Sequence, residues 1–297
     1  MRLLLCSDPL TPREPDSAFE TENEAIKNLT LDFDLLDFES LVAGATDRAL
    51  RRVGEADLGL VVYRGWMIPV AAYAALARAI EERGGHLIND AATYERTHHL
   101  PRSYAALAAH TPKTVWLEGS APFDMEMVHA ALSTFEGGPV VVKDFVKSRK
   151  HEWLEACFIP SAADRSAVEN VVSTFVDRQG EDLAGGLVFR EFVELEQVGV
   201  HPQSGLTLGR ELRLFFLDGD LLASGRYWEG IEYEDDFRTE PFASVARSIE
   251  SRFFSMDIAR TKAGESIVIE IGDGQVTGLP DTIDATMFYQ RLADRLG

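Results

Sequence analysis

Apolar residues follow two periodicities along the chain, and their order predicts an α/β region followed by an α+β region. In the first 115 residues, short apolar runs typical of strands are separated by stretches with helical spacing. The predicted strands are 3–6, 31–35, 58–63 and 86–88, and the predicted helices are 17–28 and 69–83. A capping-box pattern from Ser17 to Glu20 marks the first helix. Because strands and helices alternate, we expect a small open parallel sheet.

The order of elements changes after residue 124, where pairs of strands begin to follow one another. The predicted order is helix 124–135, strands 139–143 and 157–159, helix 164–178, strand 187–193, a hairpin within 211–228, helix 241–254, strands 255–259 and 266–274, and helix 282–296. The dipeptide Asp218-Gly219 is typical of the tight turn of such a hairpin. The second part of the chain is therefore predicted to be α+β.

Length and charge limit the architecture and the partners. A chain of 297 residues exceeds one simple core, so we expect two or three subdomains. The formal net charge of −20 argues against nucleic acid as a partner, because binding a phosphate backbone requires a basic face. No apolar run approaches a membrane span, and the first ten residues resemble a strand more than a signal peptide.

The two cysteines, Cys6 and Cys157, lie in apolar contexts typical of strands. This placement predicts buried free thiols in a reducing compartment, and therefore a cytoplasmic protein. A disulfide or a metal-binding pair is the alternative.

A basic stretch follows the strand at 139–142. Its cationic and imidazole side chains are Lys143, Lys147, Arg149, Lys150 and His151. Such a concentration of positive charge in an acidic chain predicts an anionic ligand, and a strand that ends in lysine suits phosphate. The alternative is a solvated basic loop after an ordinary core strand.

Two groups of polar residues in the N-terminal half are candidates for substrate binding. Arg64 directly follows the strand at 58–63, where ligands of open α/β sheets bind, and can hold a carboxylate or phosphate. Tyr94 and His98 are candidates for the rim of a substrate pocket. Adjacent His98 and His99 point in different directions on a helix, so they do not make a metal pair by themselves. The alternatives are a surface arginine and structural histidines.

The strand at 187–193 and the residues after it can contact a nucleotide base. Three carboxylates, at Glu191, Glu194 and Glu196, bracket the apolar pair Phe192-Val193. An extended segment of this kind can offer backbone N–H and C=O groups to adenine, while a carboxylate accepts hydrogen bonds from ribose. The alternative is an edge strand with outward charges.

Charged residues also lie within the C-terminal strands. Arg213 on one strand of the predicted hairpin and Arg226 on the returning strand can clamp phosphoryl oxygens, or pair with acids across the strands. Asp257 and Glu270 are lone carboxylates within apolar strands, and such residues usually have a cation partner. Hard oxygen ligands beside a phosphate site suit Mg²⁺.

Together these motifs resemble the ATP-grasp superfamily, and in particular its divergent R2K-type clade. The motifs that carry the resemblance are, in order, VVVK at 140–143, FREFVELE at 189–196, ELRLFF at 211–216, SMDIA at 255–259 and VIEIGDG at 268–274. The resemblance extends over essentially the whole chain. It implies a pre-ATP-grasp domain at 1–115 and two ATP-grasp subdomains at 116–196 and 197–297.

The resemblance also implies roles for individual residues. Those that would contact ATP are Lys143 at the phosphates, Lys147 and Ser148 in the covering loop, Glu191, Phe192 and Val193 at adenine, Glu194 or Glu196 at ribose, and Arg213 at the γ-phosphate. Those that would bind Mg²⁺ are Asp257 and Glu270. The family's final motif has asparagine two residues after the glutamate, but this chain has Gly272 there. We therefore expect Asp273 to act as the third ligand.

The activity implied by the resemblance is ATP-dependent, ADP-forming ligation of a small-molecule carboxylate to an amine through an acylphosphate. Arg64 and Arg226 would anchor the substrate carboxylate. The alternatives are a small-molecule kinase, which stops at phosphoryl transfer, and a non-catalytic ATP sensor, which the altered final motif favours. The sequence identifies neither the substrates nor the oligomeric state.

Overall fold

The computed structural model describes residues 1–200 and 207–297, and these residues form three four-stranded sheets and one two-stranded sheet. The strands are β1 (Arg2–Cys6), β2 (Phe33–Leu36), β3 (Gly59–Arg64), β4 (Gly85–Leu87), β5 (Thr114–Glu118), β6 (Val140–Lys143), β7 (Phe158–Ile159), β8 (Gly186–Glu191), β9 (Gln197–Val200), β10 (Thr207–Gly209), β11 (Glu211–Leu217), β12 (Asp220–Arg226), β13 (Phe253–Arg260) and β14 (Ser266–Asp273). The helices are α1 (Glu20–Asn28), α2 (Phe38–Val42), α3 (Thr46–Ala49), α4 (Val70–Glu81), α5 (Ala91–His98), α6 (Leu100–Leu107), α7 (Met125–Leu132), α8 (Trp153–Ala156), α9 (Arg165–Gln179), α10 (Glu240–Ser248) and α11 (Ala285–Leu296).

The first sheet has the order β2-β1-β3-β4, and all of its neighbouring strands are parallel. The predicted open parallel sheet is thus confirmed. One face packs against α1, α11 and part of the third sheet through Leu5, Val62, Phe215 and Phe288, which are all almost completely buried. The N-terminal region and the C-terminal sheet therefore share a hydrophobic core.

The second sheet has the order β5-β8-β6-β7 and is antiparallel. Val140, Val142 and Phe189 point from it into a core that α7 and α9 cover. Strand β5 spans the boundary predicted between residues 115 and 116, and it pairs with β8 of this sheet. The precise limits of the subdomains stay a prediction.

The third sheet has the order β12-β11-β13-β14 and is also antiparallel. Residues of β11 alternate between its two faces, as in any strand. Leu214 and Phe216 point into a core covered by α10, whereas Glu211 and Arg213 point to the opposite face. That second face lines the candidate site.

Two predicted elements are wrong in detail. The helix predicted at 241–254 ends at Ser248, because Phe253 and Phe254 pair with β11 and belong to β13. The first helix begins at Glu20 and is not capped by Ser17. Asp16 instead accepts a hydrogen bond from the Ala18 amide in the preceding 3-10 turn.

The structure also tests the expectations about the cysteines and about membrane-spanning segments. Cys6 and Cys157 are free and buried, as predicted. Among the residues that the structure describes, no helix is long and apolar enough to cross a bilayer.

Candidate functional site

The second and third sheets meet where Lys143 approaches Glu270. Lys143 is the last residue of β6, and its ammonium Nζ lies 3.9 Å from Glu270 Oε2 on β14. The Lys143 side chain is largely buried, whereas Glu270 is partly open to solvent. One cation from the second sheet and one anion from the third therefore face each other across a cleft.

Arg213 and Asp257 form a bidentate ion pair beside this contact. Arg213 Nε and Nη2 donate to Asp257 Oδ1 and Oδ2, each at 2.8 Å. Arg213 is the cross-strand partner of Asp257, and Asp257 is the partner of Glu270, so the three residues form one row on one face of the sheet. The prediction that the buried Asp257 has a cation partner is confirmed.

Electrostatics within the cleft favour the charged form of Glu270. Enclosure by protein raises the pKa of this carboxyl, but the neighbouring Lys143 and Arg213 outweigh that effect, so its pKa is lowered. Burial also lowers the pKa of Lys143, and Glu270 opposes this shift. The cleft thus combines an ionised Glu270 carboxylate with a buried Lys143 ammonium, and Glu270 offsets the effect of that burial only in part.

A compact loop follows Lys143. The buried Asp144 accepts hydrogen bonds from the Val146 and Lys147 amides through Oδ1, and from Gln179 through Oδ2. Lys147 and Ser148 are exposed at the outer turn of this loop. Asp144 therefore holds the loop in place through these hydrogen bonds.

Lys150 extends from the end of this loop to the third sheet. Its ammonium lies 5.7 Å from the ring centroid of Tyr227 and 5.3 Å from that of Trp228. Arg213 lies over the same Tyr227 ring, at 4.7 Å. The basic loop is therefore docked across the cleft.

The predicted adenine segment connects the second and third sheets. Glu191 ends β8, and the Phe192 amide donates to Pro139 O at 3.0 Å. Leu195 then forms a bridge to Thr261 beside β13. The segment thus lies between the sheets, as an adenine-binding hinge requires, although its contact with adenine stays a prediction.

The two candidate ribose ligands have cation partners in this structure. Glu194 Oε2 lies 2.9 Å from Lys262 Nζ, in an exposed pair. Glu196 Oε1 lies 3.0 Å from Arg210 Nη1, and a longer contact joins it to Arg260. Either carboxylate must exchange or share a partner to accept hydrogen bonds from a sugar.

Arg226 does not lie beside Arg213, so the two arginines do not form one clamp for phosphoryl oxygens. A β-bulge between Phe215 and Phe216 shifts the pairing of β11 with β12, so that Arg226 faces Leu212 and not Glu211. This places it on the opposite face of the sheet, where it pairs with Glu232. The structure therefore does not place Arg226 in the cleft.

Asp273 is also absent from the cleft. It lies three residues after Glu270, so its side chain points to the opposite face of β14, level with Phe254. There it is fully buried and accepts hydrogen bonds from Asn89 and Gln275. The expectation that Asp273 supplies a third metal ligand is therefore wrong for this structure.

Gly272, at the position of the missing asparagine, lies next to two hydroxyl groups. A Cβ atom there would lie 3.1 Å from Thr277 Oγ1 and 3.2 Å from Ser255 Oγ. These hydroxyls are 2.8 Å apart and hydrogen-bonded. They occupy the space that a side chain at position 272 would need.

Arg64 is buried as a structural cation. Its guanidinium donates to Glu22 Oε2 at 2.5 Å, to the hydroxyl of Tyr289 at 3.2 Å, and to the carbonyls of Gly274 and Thr277 at 2.6 and 2.9 Å. The side chain is only 2% exposed. Arg64 therefore ties the loop after β14 to the N-terminal sheet, and the structure does not bring it to the cleft.

Tyr94 and His98 are likewise engaged within the protein. The Tyr94 hydroxyl donates to Ile68 O and accepts from Ile68 N, and its ring stacks on Tyr73 at 3.9 Å. His98 Nδ1 donates to Tyr94 O at 2.8 Å. Both side chains are buried, so this structure does not place them at the rim of a pocket.

Replacing Arg64 with alanine is expected to lower the free energy of unfolding by about 3–5 kcal/mol, because Glu22 would remain buried without its cation. Chemical denaturation followed by circular dichroism measures this change. The exposed Arg48 is a matched control, and Arg48→Ala is expected to change stability by less than about 0.5 kcal/mol. A stable Arg64→Ala protein that has lost only substrate affinity would instead support the carboxylate-anchoring hypothesis.

Two residues of the cleft were not predicted from the sequence. Tyr227 lies opposite Glu211 because of the bulge, and its amide donates to Glu211 O at 3.2 Å. Arg190 on β8 donates to the carbonyls of Val268 and Ile269, and so holds the backbone just before Glu270. Alternation along β8 could have indicated Arg190, because it lies two residues from Val188 on the face of Lys143.

The donor set in the cleft fits a magnesium ion that also binds phosphate. Asp257 and Glu270 supply hard carboxylate oxygens on one face, and Mg²⁺ is usually held by one or two carboxylates together with substrate phosphates. In residues 1–200 and 207–297, no group of three or more acidic, histidine or cysteine side chains is arranged to hold a metal by itself. Two carboxylates are within the number that Mg²⁺ takes from a protein when phosphates supply other ligands.

Comparisons with known proteins identify the family and the fold of the chain. A family model described as an ATP-grasp domain, R2K clade family 3, matches residues 132–292, which is more than half of the chain. A search of curated proteins finds no match to the sequence.

Solved structures similar to this fold include several ATP-grasp proteins. A RimK domain ATP-grasp protein from Sphaerobacter thermophilus DSM 20745 has a TM-score of 0.60 at 18% identity, covering 98% of this chain and 99% of the other. D-cycloserine synthetase DcsG has a TM-score of 0.59 at 17% identity, with full coverage of both chains. The ATP-grasp ligase PsnB, complexed with precursor peptide PsnA2 and AMPPNP, has a TM-score of 0.56 at 13% identity and covers 100% and 97%.

Proposed function

Because the chain belongs to family 3 of the R2K clade of ATP-grasp domains, we propose that it is an ATP-dependent, ADP-forming ligase that joins a carboxylate to an amine. The observation that carries the proposal is the approach of Lys143 to Glu270 beside the Arg213–Asp257 pair. Proteins of similar fold include a cycloserine synthetase and a ligase that binds a precursor peptide, which supports ligation as the reaction type.

The charged residues of the cleft have complementary tasks in this reaction. Lys143 and Arg213 face the space between the sheets and would neutralise the charge on the transferring γ-phosphoryl group. Asp257 and Glu270 would hold Mg²⁺, which when bound supplies further charge neutralisation at the phosphate oxygens. Since each carboxylate is paired with a cation in this structure, nucleotide binding exchanges those internal pairs for contacts with phosphate and metal.

The reaction has two steps. An oxygen of the substrate carboxylate attacks the γ-phosphorus, the bond to the β–γ bridging oxygen breaks, and ADP leaves. The ammonium of the second substrate loses a proton to solvent, and its neutral nitrogen then attacks the carbonyl carbon of the acylphosphate. Phosphate departs with its bridging oxygen, and the nitrogen loses its second proton. The sum is ATP, acid and amine converted into ADP, phosphate and amide.

Nucleotide positioning would come from the segment between the sheets. We assign adenine to the backbone of residues 191–193, ribose to Glu194 or Glu196, and the outer face of the phosphates to Lys147 and Ser148. The position of the segment between β8 and β13 supports the first assignment. The exposure of Lys147 and Ser148 next to Lys143 supports the last.

Product analysis tests the proposal. Purified protein with ATP, Mg²⁺ and a mixture of carboxylic acids and amines is expected to release ADP and phosphate in equal amounts, together with a product whose mass is acid plus amine minus one water. Mass spectrometry detects that product. A phosphorylated compound that forms from one substrate alone, without free phosphate, would identify a kinase instead.

A second candidate is a nucleotide sensor, and the observation that favours it is Gly272. The Ser255 and Thr277 hydroxyls fill the space of the family's third metal-ligand side chain. A sensor would bind ATP with Mg²⁺ and show no ADP formation with any pair of substrates.

A further inference from the structure

Tyr227, Trp228 and Glu211 form a small cage at the end of the site face of the third sheet. The two rings are 4.8 Å apart between centroids and meet at 75°, as two walls of a corner do. Glu211 lies on the strand beside them, since the Tyr227 amide donates to Glu211 O. We call these three residues the aromatic cage.

The aromatic cage is built for a cation. Ammonium groups bind over aromatic faces within about 6 Å of the ring centroid. Glu211 is only 8% exposed and makes no ion pair within 4 Å among the residues that the structure describes. Burial, and then the nearby Asp257, raise the pKa of its carboxyl to about 8. Because this raised pKa favours the neutral carboxyl, a cation that enters the cage stabilises its ionised form.

Lys150 supplies that cation in this structure. Its ammonium lies within 6 Å of both ring centroids. The lysine arrives on an unbranched alkyl stem, and it comes from the basic loop of the second sheet and not from the strands that form the cage. Its place in the cage therefore depends on the position of the loop that we assign to the phosphates.

The aromatic cage is also close to the site of chemistry. Arg213, which pairs with Asp257, lies over the face of Tyr227 at 4.7 Å. A cation in the cage would thus lie next to the residue assigned to the γ-phosphoryl group. This is where the second substrate of a ligase must approach the activated carboxylate.

We propose that the aromatic cage is the binding subsite for the amine substrate, which it recognises as a primary ammonium on an unbranched alkyl chain, and that Lys150 occupies it as an internal stand-in. The proposal rests on the proposed ligase function for the role of the amine, but not for its binding. A free alkylamine and a lysine side chain of a peptide share this chemistry. A substrate ammonium enters the cage by displacing the Lys150 side chain.

Competition by Lys150 provides the test. Calorimetric titration with n-butylammonium, without nucleotide, is expected to show at least tenfold tighter binding to Lys150→Ala than to wild type, because the tethered competitor has been removed. Lys27→Ala is the matched control, since it removes one lysine charge outside the cleft, and it should bind like wild type. n-Butanol, which has no charge, should not bind to the Lys150→Ala variant.

A second variant confirms the location. Adding Trp228→Leu to Lys150→Ala is expected to abolish the gain in affinity. Equal binding to Lys150→Ala and wild type, retained binding in the double variant, or equal binding of n-butanol would each overturn the proposal. The same titration with N-acetyl-lysine amide shows whether a free amine or a peptide lysine fits better, and tighter binding of either by Lys150→Ala supports the cage.

The two proposals fail in different ways. If the protein binds n-butylammonium as described but never forms ADP, the cage proposal stands and the ligase proposal fails. If the protein forms ADP and an amide but Lys150→Ala leaves the amine affinity unchanged, the ligase proposal stands and the cage proposal fails.

Discussion

Replacing Lys143 with alanine is expected to reduce ADP formation by about a hundredfold to a thousandfold, which is the typical cost of removing one group that stabilises transferring charge. Lys143 is the largely buried cation that the second sheet places 3.9 Å from Glu270. Without it, the γ-phosphoryl group would lose the positive charge on that side of the cleft. Coupled-enzyme detection of ADP measures the effect once a substrate pair is known, and calorimetry of ATP with Mg²⁺ measures the loss of binding beforehand.

A matched control separates this effect from a general loss of charge. Lys27 is exposed on α1, outside the cleft, and Lys27→Ala is expected to leave both ATP binding and ADP formation unchanged. Both variants should unfold at nearly the same denaturant concentration as wild type, because Glu270 is partly solvated and can lose its partner at little cost. Equal turnover in Lys143→Ala and Lys27→Ala would show that Lys143 has no part in phosphoryl transfer.

Local sequence patterns predicted the parallel first sheet and the charged residues that form one row of the site. The parallel first sheet followed from its βα rhythm, and the structure confirms it. Arg213, Asp257 and Glu270 were each recognised as charged residues within apolar strands. The antiparallel pairing then brings all three to one face, since direct cross-strand partners share a face.

The error at Arg226 comes from strand register. In a simple hairpin with its turn at Asp218-Gly219, Arg226 would lie opposite Glu211 and therefore on the face of Arg213. One extra residue at the bulge exchanges Arg226 for Tyr227. A bulge depends on how the two strands twist and pack, and no residue type in this hairpin predicts its position. The sequence did not predict the aromatic cage for the same reason, because the bulge is what places Tyr227 opposite Glu211.

The N-terminal sheet shows a different limit. Ligands of open α/β sheets bind at the carboxyl ends of the strands, so Arg64 after β3 looked like a ligand-binding residue. In the structure, the protein's own loop at 274–277 fills that position, with Gln275 hydrogen-bonded to Tyr63 and Arg64 bonded to Thr277. A contact between residues more than 200 positions apart cannot be read from local pattern.

That same contact suggests how the N-terminal region serves the site. Arg64 holds the loop that follows β14, and Gly278 at the end of this loop accepts a hydrogen bond from Arg213 at 3.1 Å. Arg213 in turn holds Asp257. The buried cation of the first sheet therefore supports the charged row of the third sheet through a short chain of hydrogen bonds.

Replacing Glu270 with glutamine is expected to weaken metal binding at the nucleotide site by at least about tenfold, the lower end of the range for losing a metal-site group, and to reduce ADP formation by about a hundredfold or more. Glutamine preserves the size of the side chain but removes the charge that pairs with Lys143. Electron paramagnetic resonance of Mn²⁺, with a non-hydrolysable ATP analogue, measures the metal affinity without any turnover. Glu265→Gln, on an exposed residue before β14, is the control and should bind Mn²⁺ like wild type.

Combining the two substitutions tests whether Lys143 and Glu270 act on the same phosphoryl group. If they do, the double variant should lose little more activity than the worse single variant, because residues that act as a unit are strongly non-additive. If the effects instead multiply, the two residues contribute separately and their 3.9 Å contact is incidental. An unchanged Mn²⁺ affinity in Glu270→Gln would remove this carboxylate from the metal site and leave Asp257, already held by Arg213, as the remaining acid of the row.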